Sequence, residues 1–343
     1  MNLQKKVGMN VRKYLLSEKG QFYKANLHCH TTISDGCVTP EDVKKAYKAK
    51  GYSIVAFTDH DVLVPHPELK DDSFLPLNGY EIEVSEHYSG KRDSKTCHMC
   101  LIGLDEDNVK QVCFYRSKYL LGGAKEYVNT IEYDKTLPDY ERVYTPECIN
   151  EIMKTARDNG FFVTYNHPTW SRERYNDYIK YQHMNAMEVF NNGAQVIGYF
   201  EYNEKEYDDM LLDGKRIYCV AADDNHSERD FFGGFTMIKA EKLEYKTITD
   251  ALVSGNFYAS QGPEIHNVWF EDGVVHIECS DVKAIRFNTG VRYAKRIIAK
   301  DGESICSAEF PITPDDKYVR ITITDADGKY AYTNAYFTDE LFD

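Results

Sequence analysis

The chain has 343 residues, and its 42% hydrophobic and 13% aromatic content is enough for one large buried core and a smaller one. Its formal net charge of −14 disfavours long DNA or RNA as a partner, because lysine and arginine supply most of that affinity. The charge does not disfavour a small anionic phosphoester or a short oligonucleotide. No apolar run approaches the roughly 20 residues of a membrane span, so no membrane partner is expected.

The nine cysteines have no regular framework spacing, and the first residues lack the continuous apolar core of a signal peptide. We therefore interpret the cysteines as reduced thiols and expect a cytoplasmic protein. Residues 1 to about 20 have the pattern of a short helical lead-in. Nothing in the composition predicts the oligomeric state.

The stretch NLHCHTTISDG, residues 26–36, carries two imidazoles that an extended backbone directs to the same side. His28 and His30 lie two positions apart, so both can face one ion while Cys29 faces the opposite way. Asp35 adds a carboxylate five residues later. The spacing is typical of a metal site, although a single H-x-H pair is a weak signal.

The next segment, TPEDVKKAYKAKG, has the signals of a helix followed by a strand. Thr39 is a suitable N-cap, Pro40 falls in the first turn, and Gly51 ends the helix. The apolar run YSIVAF then predicts a buried strand that ends at Asp59 and His60.

This helix and strand unit recurs, and each later apolar run also carries a residue able to bind metal. Glu81 follows LPLNGY, His98 lies in KTCHMCLIG, His167 follows FFVTY, and Asp224 with His226 follow IYCVAA. Alternating helices and strands predict an α/β fold with a parallel sheet, and closure into a barrel would bring the strand ends to one mouth. Periodicity alone does not separate such a barrel from an open, doubly wound sheet.

Two further segments differ from these helix and strand units in composition and pattern. Residues 105–144 are polar and rich in tyrosine, which fits either a lid over the mouth or a helical hairpin on the flank. From residue 266 the chain reads as short alternating strands with Asp-Gly turns, which predicts a small antiparallel β-sandwich over residues 266–343. We expect the sandwich to pack on the barrel, and a dimer contact or a carbohydrate contact are the other open roles.

Taken in order, the motifs resemble those of the PHP (polymerase and histidinol phosphatase) superfamily. The matching motifs are HCH with Asp35, TDH at 58–60, GYE at 79–81, His98, NHP at 166–168 and DNH at 224–226. The run SGNFYASQGPEI, residues 254–265, resembles the end of the catalytic domain in the CehA/McbA-like branch. The resemblance implies a distorted (β/α)7 TIM-like barrel, the PHP fold, over residues 1–265.

The resemblance also implies two or three divalent ions. The first would be bound by His28, His30, Glu81 and Asp224, the second by Glu81, His98 and His167, and a third by Asp35, His60 and His226. Asp35 stands where some relatives have histidine, so the third position is left open. Imidazoles mixed with carboxylates suit Mn²⁺, Fe²⁺ or Zn²⁺ better than Ca²⁺, which prefers an all-oxygen shell.

The implied activity is hydrolysis of a phosphoester by a metal-bridging hydroxide. The expected substrate is a small phosphorylated metabolite, a nucleotide or a short oligonucleotide. His226 or a metal-bound water would protonate the leaving group, and Asp59, if it is not itself a ligand, would orient a neighbouring imidazole. Arg172 and Arg174 would bind the phosphate. Solvated loop arginines are an equally good interpretation of the last two.

Two alternative functions use the same residues. The CehA/McbA-like resemblance allows hydrolysis of a carbamate or a carboxylic ester at the same metal site. A non-catalytic metal-binding or carbohydrate-binding protein is the other alternative, in which the sandwich would do the binding.

Overall fold

The computed structural model of the chain describes residues 12–88 and 94–343. Within them the helices are α1 (Pro40–Ala49), α2 (Ala124–Tyr127), α3 (Pro146–Asp158), α4 (Tyr175–Tyr178), α5 (Asn192–Val196), α6 (Glu204–Leu212), α7 (Tyr245–Val253) and α8 (Thr338–Leu341). The first ten strands are β1 (Lys13–Tyr14), β2 (Gln21–Asn26), β3 (Tyr52–Phe57), β4 (Leu75–Ser85), β5 (Thr96–Gly103), β6 (Lys110–Gln111), β7 (Glu132–Tyr133), β8 (Phe161–Asn166), β9 (Ala186–Asn191) and β10 (Tyr218–Ala222).

The later strands are β11 (Phe235–Ala240), β12 (Phe257–Ser260), β13 (Ile265–Glu271), β14 (Val274–Val282), β15 (Ala284–Thr289), β16 (Ala294–Ile298), β17 (Ile305–Pro311), β18 (Tyr318–Thr324), β19 (Tyr330–Thr333) and β20 (Tyr336–Phe337). The predicted helical lead-in is wrong where it can be compared, because residues 13 and 14 form β1. Its first eleven residues lie outside the described residues. Among the described residues, no helix has both the length and the apolar character needed to cross a membrane.

The two helices with clear sequence signals begin where the signals predict. The Thr39 side chain accepts a hydrogen bond from the Asp42 backbone at the start of α1, and Thr145 accepts one from Cys148 at the start of α3. Each helix has a proline in its first turn and buries one apolar face. These caps satisfy backbone donors that the first turn of a helix leaves free.

The α/β class is confirmed, but the sheet is mixed rather than parallel. One large sheet has the order β10-β9-β8-β5-β4-β3-β2-β11-β12-β19-β18-β15-β16. Strands β2, β3 and β4 pair in parallel, as do β8, β9 and β10, whereas β5 runs antiparallel to both β4 and β8. The beginning of β5 therefore lies beside the carboxyl ends of its neighbours.

Closure into a TIM-like barrel is not confirmed. A closed barrel would need a strand ladder between β10 and β11, the two ends of this run of strands. In the described chain no such ladder is present. The two strands approach through one side chain: the Thr236 hydroxyl donates to the Ala221 carbonyl at 3.1 Å and accepts from the Ala221 amide at 3.3 Å. A hydroxyl bridge thus stands where a closed barrel would have backbone pairing.

The C-terminal strands form two antiparallel layers around a shared apolar core. One layer is β1-β13-β14-β17, and the other contains β15, β16, β18 and β19. Val268 and Ile277 of the first layer belong to the same core as Phe287 and Ile321 of the second. Because β19 also pairs with β12, the second layer continues the large sheet, and a domain boundary at residue 265 stays a prediction.

The segment 105–144 lies beside the loop that follows the first histidines. It contains β6, α2 and β7, and the Gly123 amide donates to the Ser34 carbonyl at 2.7 Å. Four residues, Ala124–Tyr127, are its α-helical part, so the segment is not a helical hairpin. Its role as a lid stays a prediction.

A buried ion pair connects α6 to the C-terminal layer. Arg320 on β18 is 3% exposed and donates to both carboxylate oxygens of Asp208 at 2.7 Å. A third nitrogen donates to the Thr322 hydroxyl at 3.1 Å. Two such parallel bonds fix the geometry of both partners.

We predict that Arg320→Ala lowers the free energy of unfolding by about 2–3 kcal/mol, because it removes a buried ion pair and leaves the partner carboxylate only partly solvated. Urea unfolding followed by far-UV circular dichroism measures the change. Arg116→Ala is the matched control, since Arg116 pairs with Asp139 at the surface, and its unfolding midpoint should not move. Equal midpoints for Arg320→Ala and the wild type would contradict the prediction.

Candidate metal centre

The structure brings all nine predicted ligand residues together at one edge of the sheet. They are His28 and His30 after β2, Asp35 in the following loop, His60 after β3, Glu81 on β4, His98 on β5, His167 after β8, and Asp224 with His226 after β10. His98 reaches this edge from the start of a strand, because β5 runs against its neighbours. Glu81 lies within β4, four residues before its end, and the remaining residues of the cluster lie in the loops that follow β2, β3, β8 and β10.

The Glu81 carboxylate lies at the centre of the cluster and is 1% exposed. Five imidazoles approach its two oxygens: His28 Nε2 at 3.2 Å, His98 Nδ1 at 3.2 Å and His167 Nε2 at 3.5 Å from Oε1, and His60 Nδ1 at 3.3 Å and His30 Nε2 at 3.4 Å from Oε2. Three imidazoles thus approach Oε1 and two approach Oε2, so both carboxylate oxygens lie among potential metal ligands.

Asp224 completes the first predicted ligand set. Its Oδ1 lies 3.2 Å from His28 Nε2 and 3.1 Å from His30 Nε2, and these two nitrogens are 3.0 Å apart. Glu81 Oε1 lies 3.2 Å from His28 Nε2 and Glu81 Oε2 lies 3.4 Å from His30 Nε2, so five donor atoms surround one small volume. These residues could hold one ion.

Asp35 forms a more open group with three histidines. Its carboxylate is 3.7 Å from His30 Nδ1, 3.8 Å from His60 Nε2 and 3.6 Å from His226 Nε2. The side chains of Asp35 and His226 are 33% and 39% exposed, whereas the histidines beneath them are buried. The third predicted position is therefore the one open to solvent.

Several buried polar atoms in the cluster have no hydrogen-bond partner. They are His30 Nδ1, His60 Nδ1, both ring nitrogens of His98 and Asp224 Oδ1. A buried polar atom without a partner is destabilising, commonly by about 1–3 kcal/mol, and coordinated cations would satisfy one nitrogen of each imidazole and the Asp224 oxygen. The residues present therefore fit divalent metal.

The electrostatics of the cluster also fit a cation. Burial raises the pKa of Glu81, but the imidazoles of His28 and His98 outweigh it and hold that pKa well below its ordinary value. Burial and the neighbouring His30 lower the pKa of His60 to about 3. Glu81 is thus ionised and His60 neutral at physiological pH, which are the forms that bind metal.

Cys100 lies close to this cluster without the character of a ligand. It is buried behind His28 and Glu81, and its thiol accepts a hydrogen bond from Asn166 at 3.1 Å. Burial raises the pKa of this thiol, so it stays protonated. Imidazole nitrogens and carboxylate oxygens remain the donors.

Glu188 is a functional candidate that the sequence analysis missed. It is 1% exposed on β9, its Oε1 lies 2.8 Å from His28 Nδ1, and its Oε2 accepts from the His167 backbone amide at 3.0 Å. A carboxylate in this position fixes the tautomer of His28 so that Nε2 faces Glu81. The signal in the sequence was an acidic residue in the middle of the apolar run MNAMEVF.

Asp59 does not orient an imidazole, so its predicted role is corrected. Its carboxylate accepts hydrogen bonds from the amide and hydroxyl of Thr31 and from those of Ser34, at 2.7–3.1 Å. These four bonds hold the loop between His30 and Asp35. Asp59 therefore acts on Asp35 through the backbone.

Arg172 and Arg174 do not reach the cavity above the cluster. Both are exposed, and neither lines this cavity of about 330 Å³. Its wall contains Arg229 instead, together with the apolar side chains of Leu121 and Ile197. Arg172 and Arg174 therefore lie outside the described lining of this cavity, and their role in phosphate binding stays a prediction.

Two residues of the cluster have unusual backbone conformations. His167 has φ +27° and Asp224 has φ +47°, in a region that residues other than glycine seldom adopt. A Cβ on Gly193 would lie 2.5 Å from the Asp224 carbonyl, so only glycine fits beside this turn. Strain of this kind concentrates where a site requires one particular geometry.

Comparison with known proteins agrees with these motifs. The family model described as "PHP domain" matches residues 26–240, which contain all nine residues of the cluster. The chain belongs to the PHP domain family. Among curated proteins, this PHP domain chain is 26% identical over 159 residues to the "5'-3' exoribonuclease" of Haemophilus influenzae, which is 41% of this chain and 56% of that protein. It therefore spans about half the length of that relative.

Three solved structures resemble the PHP domain chain at low identity. A two-domain protein from Bacteroides vulgatus containing a predicted PHP-like metal-dependent phosphoesterase is 14% identical, with a TM-score of 0.44, 96% of this chain and 100% of that one covered. A putative metal-dependent phosphoesterase from Bifidobacterium adolescentis is 16% identical, with a TM-score of 0.37 and coverage of 62% and 89%. An amidohydrolase from Chromobacterium violaceum, with bound sulfate and no metal, has 16% identity, a TM-score of 0.37 and coverage of 60% and 88%.

We predict that a chelator lowers the thermal unfolding midpoint and that Mn²⁺ restores it, because an ion that binds only the folded chain stabilises it by about 2.7 kcal/mol at 100 Kd. His98→Ala should bind fewer equivalents of Mn²⁺ by elemental analysis and lose most of the restored shift. The matched control is His183→Ala, an exposed histidine outside the cluster, which should behave as the wild type. Equal metal content in wild type and His98→Ala would contradict the assignment of His98.

Proposed function

We propose that the chain is a metal-dependent phosphoesterase that uses two or three divalent ions. The observation that carries the proposal is the Glu81 carboxylate, buried between five imidazoles whose free nitrogens include both of those on His98. Membership of the PHP domain family supports it. Mn²⁺, Fe²⁺ and Zn²⁺ all suit this donor set.

The ligands would divide into the three sets that the sequence predicts, with Glu81 shared between the first two. When bound, divalent ions supply Lewis acidity, which polarises phosphoryl oxygens and makes water more acidic. Glu188 holds His28 in the required tautomer, and the bonds of Asp59 keep the Asp35 loop in place. The chain thus prepares the ligand geometry before an ion arrives.

The cavity above the cluster has the size and polarity for a small phosphoester. Its volume of about 330 Å³ is at the lower end of the range for ligand sites. Arg229 lines it from one side, where its Nε donates to Asp230 Oδ1 at 3.1 Å. Its side chain is 67% exposed, so the two terminal nitrogens of the guanidinium can bond to a phosphate oxygen. Leu121 and Ile197 offer an apolar wall to the rest of the substrate.

His226 is the best placed proton donor for the leaving oxygen. It is the most exposed imidazole of the cluster, and its Nδ1 lies 3.1 Å from the Asp224 carbonyl. A hydrogen bond from Nδ1–H leaves Nε2 directed toward Asp35 and the cavity. In a centre with two ions, His226 would hold a proton at Nε2 and give it to the departing alcohol.

Hydrolysis of a carboxylic ester or a carbamate is the second candidate function. The observation in its favour is that, among the described residues lining the cavity, Arg229 is the one lysine or arginine. A neutral substrate would need no further cation. The test must therefore distinguish hydrolysis of a phosphate ester from hydrolysis of a carboxylic ester or carbamate.

The experiment compares three p-nitrophenyl esters on protein freed of metal and on protein supplied with Mn²⁺. We expect Mn²⁺-dependent hydrolysis of p-nitrophenyl phosphate, of bis-p-nitrophenyl phosphate, or of both, and no gain on p-nitrophenyl acetate. A short oligoribonucleotide belongs in the panel, because the curated relative is named as an exoribonuclease. Hydrolysis of the acetate alone would replace the proposal by the second candidate, and no Mn²⁺-dependent turnover on any ester would refute both.

We predict that Arg229→Ala raises KM for the hydrolysed phosphate ester about fivefold to tenfold with a smaller change in kcat, because it removes a charged hydrogen bond to the substrate. Arg172→Ala is the matched control, since Arg172 is also an exposed loop arginine but lies outside the cavity wall. Steady-state kinetics at constant ionic strength measures both. A larger effect of Arg172→Ala than of Arg229→Ala would contradict the assignment.

A further inference from the structure

A second cavity adjoins the one above the metal cluster. It has a volume of about 730 Å³ and shares Glu83, Leu121 and Trp170 with the cavity of about 330 Å³ that reaches the cluster. We refer to the smaller as the inner cavity and to the larger as the outer cavity. A molecule that places one group in the inner cavity can extend past these three residues into the outer one.

The outer cavity is lined by aromatic rings and hydroxyl groups. The rings of Tyr88 and Tyr119 lie 4.7 Å apart between centroids at 49°, and Tyr88 is 45% exposed. The hydroxyls of Ser85 and Thr96 are 2.8 Å apart on neighbouring strands. These two hydroxyls are buried and bond within the fold, to Glu83 and to the Val84 carbonyl, so the exposed tyrosine ring is the surface that can pack against a sugar or base ring.

The charged groups of the outer cavity are already paired with each other or with the fold. The Lys118 ammonium lies 2.8 Å from both oxygens of Glu141. The Arg142 guanidinium is buried, where it bonds to Asp61 and to the Glu83 carbonyl. With the Glu83 carboxylate on the shared boundary, the described lining favours an uncharged partner over a second phosphate.

We propose that the outer cavity binds the alcohol part of the phosphoester, and that this part is a neutral, hydroxylated ring compound of sugar or nucleoside size. The inference rests on the proposed function, which places the phosphate in the inner cavity. The ring packs on Tyr88 and Tyr119, and its hydroxyls donate to Glu83. In the reaction the bond between phosphorus and the alcohol oxygen breaks, and water supplies an oxygen to the phosphate and a proton to the alcohol.

The test uses the full-length, Mn²⁺-loaded protein with adenosine 5′-monophosphate and glucose 6-phosphate, and with p-nitrophenyl phosphate as a reference that carries no hydroxylated ring. Tyr88→Ala should raise KM about fivefold for the nucleotide, the sugar phosphate or both, with kcat and the reference kinetics unchanged. Tyr88→Phe keeps the ring and should retain the wild-type KM. Tyr175→Ala removes an exposed tyrosine elsewhere and is the matched control.

The outcomes separate this inference from the proposed function. An effect confined to the nucleotide identifies a nucleoside site, and one confined to glucose 6-phosphate identifies a sugar site. Unchanged KM for both compounds in Tyr88→Ala, or an equal increase in Tyr88→Phe, would overturn the role of the ring. If p-nitrophenyl phosphate is not hydrolysed either, the proposed function fails. Calorimetric titration with adenosine and glucose then tests whether the outer cavity binds such a ring. Binding that Tyr88→Ala weakens would support the inference, and no binding would overturn it.

Discussion

The structure depends on one buried carboxylate that faces five imidazoles. Glu81 is nearly inaccessible, and the pKa of its carboxyl is held well below the ordinary value by His28 and His98 despite burial. Without an ion, this arrangement leaves several nitrogens and one oxygen buried and unpartnered, which is destabilising. Bound cations would satisfy one nitrogen of each of these imidazoles and the Asp224 oxygen.

The sheet makes the cluster by reversing one strand. Most residues of the cluster lie at or after the carboxyl ends of their strands. Strand β5 runs antiparallel between β4 and β8, so His98 lies near the start of its strand instead. His98 pairs in register with Glu83 on one side and Asn166 on the other. A parallel strand in that place would carry the imidazole to the opposite edge of the sheet.

The local features were predictable from the sequence, and the long-range ones were not. The helix caps at Thr39 and Thr145 depend on residues close in the chain. The same holds for His28 and His30, which face one side. Periodicity and spacing were therefore enough to predict these features. The direction of β5 depends on its neighbours, as do the partners of Asp59, and neither is encoded in spacing. For the same reason the sequence pointed to the loop arginines after His167 and did not point to Arg229, which only the fold brings to the cavity.

The central claim is that Glu81 bridges two ions, and anomalous diffraction from crystals soaked in Mn²⁺ tests it most directly. The account predicts two anomalous peaks, one on each side of Glu81, separated by about 3.5–4 Å. One would be within bonding distance of His28, His30 and Asp224, and the other of His98 and His167. No peak within bonding distance of either Glu81 oxygen, at full Mn²⁺ soak, would contradict the account.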